Sequence, residues 1–225
     1  ETGCGKSNLT KAVALQLCPH LNGAFFFDTV KKDMRELQAP FKRVGVDCLV
    51  LSGNSLRLNL LQLTKRVPVE RQIATRAALL ADLLQLPQRS RKLLTSILYQ
   101  FYREKPNPTV FDVYLAVLRA DRANSQARSA LLDALEPLLR SMKCLKYQVG
   151  WSIQDLLSRC IVFELDDLPQ IGQQLVMSVL MLWAFEFQLA QQRPNRSLEL
   201  MIFVDEALPL LMSSQSPIVN YIGLI

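Results

Sequence analysis

The chain opens on Glu1-Thr2-Gly3-Cys4-Gly5-Lys6-Ser7, and a helical spacing comes directly after it. Leu9, Val13 and Leu17 recur on one face, with Ala12 and Ala14 beside them. No other feature restricts the fold as much. Gly3 and Gly5 let the backbone curl so that successive N–H groups point inward at an anion. A helix starting at the same point aims the positive end of its dipole there. Gly5-Lys6-Ser7 is the second half of the G-x-x-x-x-G-K-[ST] phosphate loop, whose first glycine is expected immediately before Glu1. In that loop Lys6 reaches the β- and γ-phosphates and the Ser7 hydroxyl ligates magnesium. The expected nucleotide-binding set is Thr2, Gly3, Cys4, Gly5, Lys6, Ser7 and Asn8, with ATP and Mg2+ as cofactors. Cys4 sits at a free position of the loop and is expected to take no part in catalysis. The chain starts inside the motif and not on Met, so it is read as truncated at both ends.

Beyond the loop the pattern is α/β. Ala24-Phe25-Phe26-Phe27-Asp28 is an apolar run ending in a carboxylate, the pattern of a buried parallel strand. Asp28 suits a cap on the next turn or a place in the second shell around magnesium. Asp47-Cys48-Leu49-Val50-Leu51 is a second strand, turned by Ser52-Gly53-Asn54.

From about Val69 to Met142 the period becomes helical. Val69, Ile73, Ala77, Leu80 and Leu84 share one face, and Leu94, Ile97, Leu98 and Phe101 mark a second helix. Thr109-Val110-Phe111-Asp112 is a capping box opening a third. Ala130 to Leu139 belongs to a fourth, with Pro137 inside it.

The α/β pattern then returns. Ser152-Ile153-Gln154-Asp155 is another capping box, and Cys160 to Leu165 is a strand. Gly172 to about Ala190 is a long apolar helix, expected to pack on the sheet. Its unbroken apolar stretch from Leu175 to Phe185 is too short for a membrane span, which needs roughly 20 residues. No integral membrane segment is expected.

The fold class is therefore α/β, a parallel sheet with an all-α insertion. The expected organisation is a phosphate-loop core in residues 1–54, an all-α insertion in 55–146, and the second part of the core in 147–225.

The second chemical motif is Leu200-Met201-Ile202-Phe203-Val204-Asp205-Glu206. An apolar strand ending in two carboxylates is the Walker B pattern, and it carries Asp205 to the strand end where ligands bind in open α/β sheets. Asp205 is expected to hold magnesium through water, and Glu206 to act as general base on the attacking water. Glu164, Asp166 and Asp167 form a further acidic cluster, read as a solvated strand end.

Charge and cysteine content narrow the partners. Residues 55–146 hold 16 Lys and Arg against 7 Asp and Glu. Such a segment suits a polyanion partner, or equally a solvated helical surface. The five cysteines are scattered without metal-ligand spacing, which points to a reducing, cytoplasmic compartment. His20 is the one histidine, so multi-histidine metal sites are excluded.

Thr2-Gly3-Cys4-Gly5-Lys6-Ser7 resembles the T-G-x-G-K-S loop of the FtsK–HerA group of P-loop motors. Phe25-Phe26-Phe27-Asp28 is similar to that group's strand ending in Asp, and Val204-Asp205-Glu206-Ala207 to its D-E-A Walker B. Leu56-Arg57-Leu58-Asn59-Leu60 resembles the group's asparagine-containing entry to a helical insertion, with Leu60 where the group usually has proline.

The resemblance implies a RecA-like fold, a homo-hexameric ring, and an ATPase coupling hydrolysis to movement of DNA or a secretion substrate. It also implies a polar sensor and arginine fingers beyond Ile225, so this fragment is expected to bind nucleotide but hydrolyse it weakly. The leading expectation is a HerA-type DNA translocase. A conjugation or type IV secretion ATPase, peripheral at the inner membrane, is the alternative. A nucleotide-dependent switch or scaffold is the third, and Glu206 speaks against it.

Overall fold

The computed structural model describes residues 5–105, 107–120, 125–148, 150–191 and 200–204. By their contacts they fall into two compact units. The first holds the sheet. The second is helical.

The sheet has four parallel strands: β1 (Gly23–Asp28), β2 (Cys48–Ser52), β3 (Cys160–Glu164) and β4 (Leu200–Val204), in the order β2-β3-β1-β4. Each strand was legible as an apolar run, because a parallel strand covered on both faces needs no polar alternation. β1 lies between β3 and β4, with Phe25 in register with Ile161 on one side and Ile202 on the other. Gly23 opens β1 because a side chain has no room there. A Cβ would lie 2.4 Å from the Leu157 carbonyl oxygen and 2.9 Å from that of Arg159.

One face of the sheet makes the core of this unit. Ala24, Phe26, Cys48, Cys160 and Val162 point the same way, as the two-residue period of strands requires. They pack with Ala14 and Cys18 of the first helix, α1 (Lys6–Leu17), and with Met34, Leu37 and Phe41 from the segment after β1. Phe26 stacks on Phe203 with centroids 4.7 Å apart, and so ties β4 into that core. On the other face Phe163 meets Phe25 edge-on at 5.2 Å and stacks on Phe27 at 5.3 Å. The segment after β1 is a 3-10 turn (Asp33–Leu37) leading into the short α2 (Gln38–Arg43). A five-residue α7 (Ile153–Leu157) precedes β3, and its Ser152 hydroxyl accepts the Asp155 N–H at 3.0 Å.

The helical unit contains α3 (Val69–Leu83), α4 (Gln88–Glu104), α5 (Val110–Arg119), α6 (Ser125–Ser141) and α8 (Gln170–Gln191). Leu80, Leu94, Leu98, Val113, Val117, Leu131 and Leu135 are among its buried apolar side chains, spaced at helical period. Thr109 caps α5 as expected, and its capping box with Asp112 is closed in both directions. Pro137 is accommodated inside α6.

The long apolar helix α8 makes contacts with α3 and α6. Two polar groups draw it there: Glu186 on α8 pairs with Arg76 on α3. Among the described residues no helix is long and apolar enough to cross a membrane.

Candidate functional site

The first unit gathers its chemistry at the C-terminal edge of the strands. α1 runs back along β1. Lys11 in its middle pairs with Glu36 at 2.6 Å, and Glu36 lies in the 3-10 turn just beyond the end of β1. At 1.5 Å rise per residue, Gly5 to Ser7 sit roughly 6–9 Å further along the helix axis from Lys11. The helix therefore starts at the strand C-terminal edge, where open α/β sheets bind ligands.

Gly5 caps α1 in the left-handed region (φ 72°), with open space where a Cβ would stand. Its carbonyl oxygen accepts the Leu9 N–H at 2.9 Å, the first bond of the helix. No acidic residue lies in the first turn. Among the described residues the first turn thus brings no carboxylate of its own to its amide groups, which suits an incoming anion. Ser7 is half-buried and Asn8 exposed. Of Lys6 the helical backbone is described. Thr2, Gly3, Cys4, Asp205 and Glu206 lie outside the described residues.

β4 points at the same edge. Its last residue, Val204, is in register with Phe27, one residue before Asp28. Asp205 and Glu206 come directly after it in sequence. The C-terminal end of β4 and the N-terminal end of α1 thus lie towards the same edge of the sheet.

Asp28 has a structural task. Its Oδ1 accepts the N–H groups of Lys31 and Lys32 at 3.1 and 3.0 Å, and its Oδ2 accepts that of Met34 at 3.1 Å. It caps the turn, which is one of the two roles its sequence position allowed. Lys32 adopts φ 54°, and the bond to Asp28 holds this uncommon conformation.

Of the acidic cluster at the end of β3, Asp166 and Asp167 are exposed, as a solvated strand end is, but Glu164 is not. Glu164 is buried, and Arg35 forks onto it with Nε at 2.6 Å from Oε1 and Nη2 at 2.5 Å from Oε2. These bonds raise the pKa of a guanidinium that is already always charged. Asp166 pairs with Lys32 at 3.0 Å, and Asp167 accepts the Asn54 N–H at 2.9 Å. The acidic ends of β1 and β3 are therefore tied down. Sequence reasoning did not single out Arg35, since 129 residues separate it from Glu164 and no spacing rule links them.

Asn59 in the second unit is also structural. It is buried, donates to the Gln148 carbonyl oxygen at 3.1 Å and accepts the Leu61 N–H at 3.1 Å. Among the described residues no group of three or more His, Cys, Asp or Glu side chains could hold a metal ion.

A solved structure matches this arrangement over its whole length. VirB4 of Thermoanaerobacter pseudethanolicus superposes with a TM-score of 0.63 at 19% sequence identity, over 99% of this chain. The chain shares its fold with VirB4. It spans 63% of the VirB4 chain. The VirB4 likeness bears out the expected fold class, an α/β fold with a parallel sheet and attached helices. No family model matches the chain, and no curated protein does.

Proposed function

We propose that this chain is the core of an ATP-binding and ATP-hydrolysing motor of the kind that energises conjugation and type IV secretion assemblies. The observation that supports it is the common edge. α1 starts and β4 ends on the same side of β1, within a fold shared with VirB4.

Each residue then has a role. The amides around Gly5 bind phosphate oxygens, and Lys6 neutralises the β- and γ-phosphates. Ser7 and Asp205 would hold Mg2+, which when bound offsets phosphate charge. Glu206 takes a proton from the attacking water, for which its position beside the magnesium-holding Asp205 suits it. Thr2, Gly3, Cys4 and Asn8 complete the nucleotide cradle. The full protein would act as a homo-hexamer at the cytoplasmic face of the membrane, with a secretion or conjugation apparatus as its partner.

One observation favours a second reading. The segment 55–146, with 16 basic against 7 acidic residues, suits a DNA track, as in HerA-type translocases. ATPase assays on the full-length protein separate the two. Under the first reading turnover is indifferent to DNA and the protein co-purifies with membrane. Stimulation by DNA that weakens steeply with salt would transfer the assignment to the second. Nucleotide binding without turnover, with Glu206 intact, would overturn both in favour of a switch.

A further inference from the structure

In the helical unit, α5 is apolar nearly all round. Val110, Val113 and Val117 make its buried side. On the opposite side Phe111, Tyr114, Leu115 and Leu118 recur at i, i+3, i+4 and i+7, the spacing of a second apolar stripe. A helix apolar on both sides is one that is covered on both sides. Yet Phe111 is 37% and Leu118 40% exposed, with Tyr114 and Leu115 half-buried between them. The Phe111 and Tyr114 rings lie 18° from parallel with centroids 6.5 Å apart, so they present one continuous apolar surface.

Cations border the stripe. The 3-10 turn Lys143–Lys146 packs beside α5. Lys146 holds its Nζ 5.9 Å from the centroid of the Phe111 ring, and the next residue, Tyr147, is 38% exposed beneath the Arg57 guanidinium at 5.6 Å. Arg57, Lys143, Lys146 and Arg119, the last residue of α5, are exposed. Among the described residues none of the four has a carboxylate at salt-bridge distance. The carboxylate of α5 itself, Asp112, is taken up by Lys105 and Thr109. Charge on this border is therefore positive and unpaired.

We propose that the Phe111–Leu118 face of α5 docks an acidic amphipathic helix of a partner protein, with the partner's apolar side on the stripe and its carboxylates on Arg57, Lys146 and Arg119.

The spacing favours a helix over a nucleic acid. Bases would stack on Phe111, Tyr114 and Tyr147, but aliphatic Leu115 and Leu118 offer them no ring. A helix uses all four stripe residues, because its own side chains recur at the same period and interdigitate with them. The cations favour an acidic partner over a second copy of this chain. A two-fold pairing of this face with itself would set its positive border against itself. The inference does not rest on the proposed ATPase activity.

The test uses the full-length protein and a labelled designed helical peptide, Leu and Phe along one side and Glu along the other, read by fluorescence anisotropy. The expected result is saturable binding that weakens with salt. Leu118→Ser and Lys146→Glu should each weaken it about tenfold or more. Both side chains are exposed, so the variants should melt as wild type does. A peptide with the same apolar side and Lys in place of Glu should not bind. Equal binding of the two peptides would overturn the proposal, as would no binding of either. Binding of an oligothymidylate that both substitutions abolish would overturn it in favour of a nucleic acid. A concentration-dependent dimer that Leu118→Ser dissolves would overturn it in favour of a second copy. The two peptides on wild type decide alone if the variants do not fold.

Discussion

Arg76 and Glu186 face each other fork to fork inside the helical unit, 2.9 Å apart on both oxygens, with neither side chain more than 5% exposed. The same guanidinium donates to the Gln62 carbonyl oxygen at 2.8 Å, and Thr64 donates its hydroxyl to Glu186 at 2.7 Å. Gln72 binds the backbone of Thr64 in both directions and also donates to the Val67 carbonyl oxygen. One buried ion pair thus joins α3, α8 and the segment before α3.

Breaking this pair from one side leaves a charge in a dry interior. Glu186→Leu should cost about 3–5 kcal/mol, while Arg76→Met with Glu186→Leu should recover most of that loss. Urea unfolding of the two variants against wild type measures it. A single variant that melts like wild type would show the pair to be solvated.

The Asp28 cap predicts a smaller effect. In Asp28→Asn an amide N–H2 must replace one of two accepting oxygens, so one of the Lys31, Lys32 or Met34 amides loses its partner. The expected loss is about 1–3 kcal/mol, with faster hydrogen exchange at residues 31–34. Exchange at those amides that matches wild type would remove the cap from this role.

Asp112 carries a pH signature. Burial pushes its carboxyl up, but hydrogen bonds from Lys105 (2.8 Å) and from the Thr109 hydroxyl and N–H (2.7 Å each) outweigh burial and hold its pKa below the ordinary value. A depressed folded pKa contributes stability that is present above the unfolded value of about 3.9 and is lost as pH falls through the folded one. The difference in unfolding midpoint between wild type and Asp112→Asn should be constant near neutrality and shrink below about pH 4. A difference that stays constant down to pH 2 would rule this out.

The phosphate-loop assignment stands or falls on two substitutions. Lys6→Ala should lose ATP affinity. Glu206→Gln should keep binding and lose hydrolysis by about 10²-fold or more, the scale of a general base. Equilibrium binding with a fluorescent nucleotide and steady-state turnover check them separately. A Gln variant with normal turnover would relieve Glu206 of its role, and unchanged affinity in the Lys6 variant would remove the phosphate loop.

Most elements were legible in the sequence, for a local reason. Phe25-Phe26-Phe27 and Ile161-Val162-Phe163 are strands because continuous apolar runs bury on both faces, and Thr109 and Asp112 announce a helix start three residues apart. What stayed hidden was non-local. Glu164 read as solvated because its partner Arg35 lies 129 residues earlier, and Glu186 gave no sign of Arg76, 110 residues before it. The ion pair that joins α8 to α3 has no sequence spacing either. The two ends of the candidate site are the opposite case: both are motifs, readable without any partner.

The strand order has a consequence for synthesis. Each pairing in the sheet joins strands roughly 110 to 180 residues apart in sequence. β1 and β2, made first, are not partners of each other. They must wait for β3, and β1 gains its second neighbour only when β4 emerges. As the ribosome delivers the chain, α3 to α6 can close on one another while two strongly apolar strands remain unpaired. That interval is when a nascent chain is most open to aggregation, and a chaperone that shields the Phe25-Phe26-Phe27 segment would be of most use then.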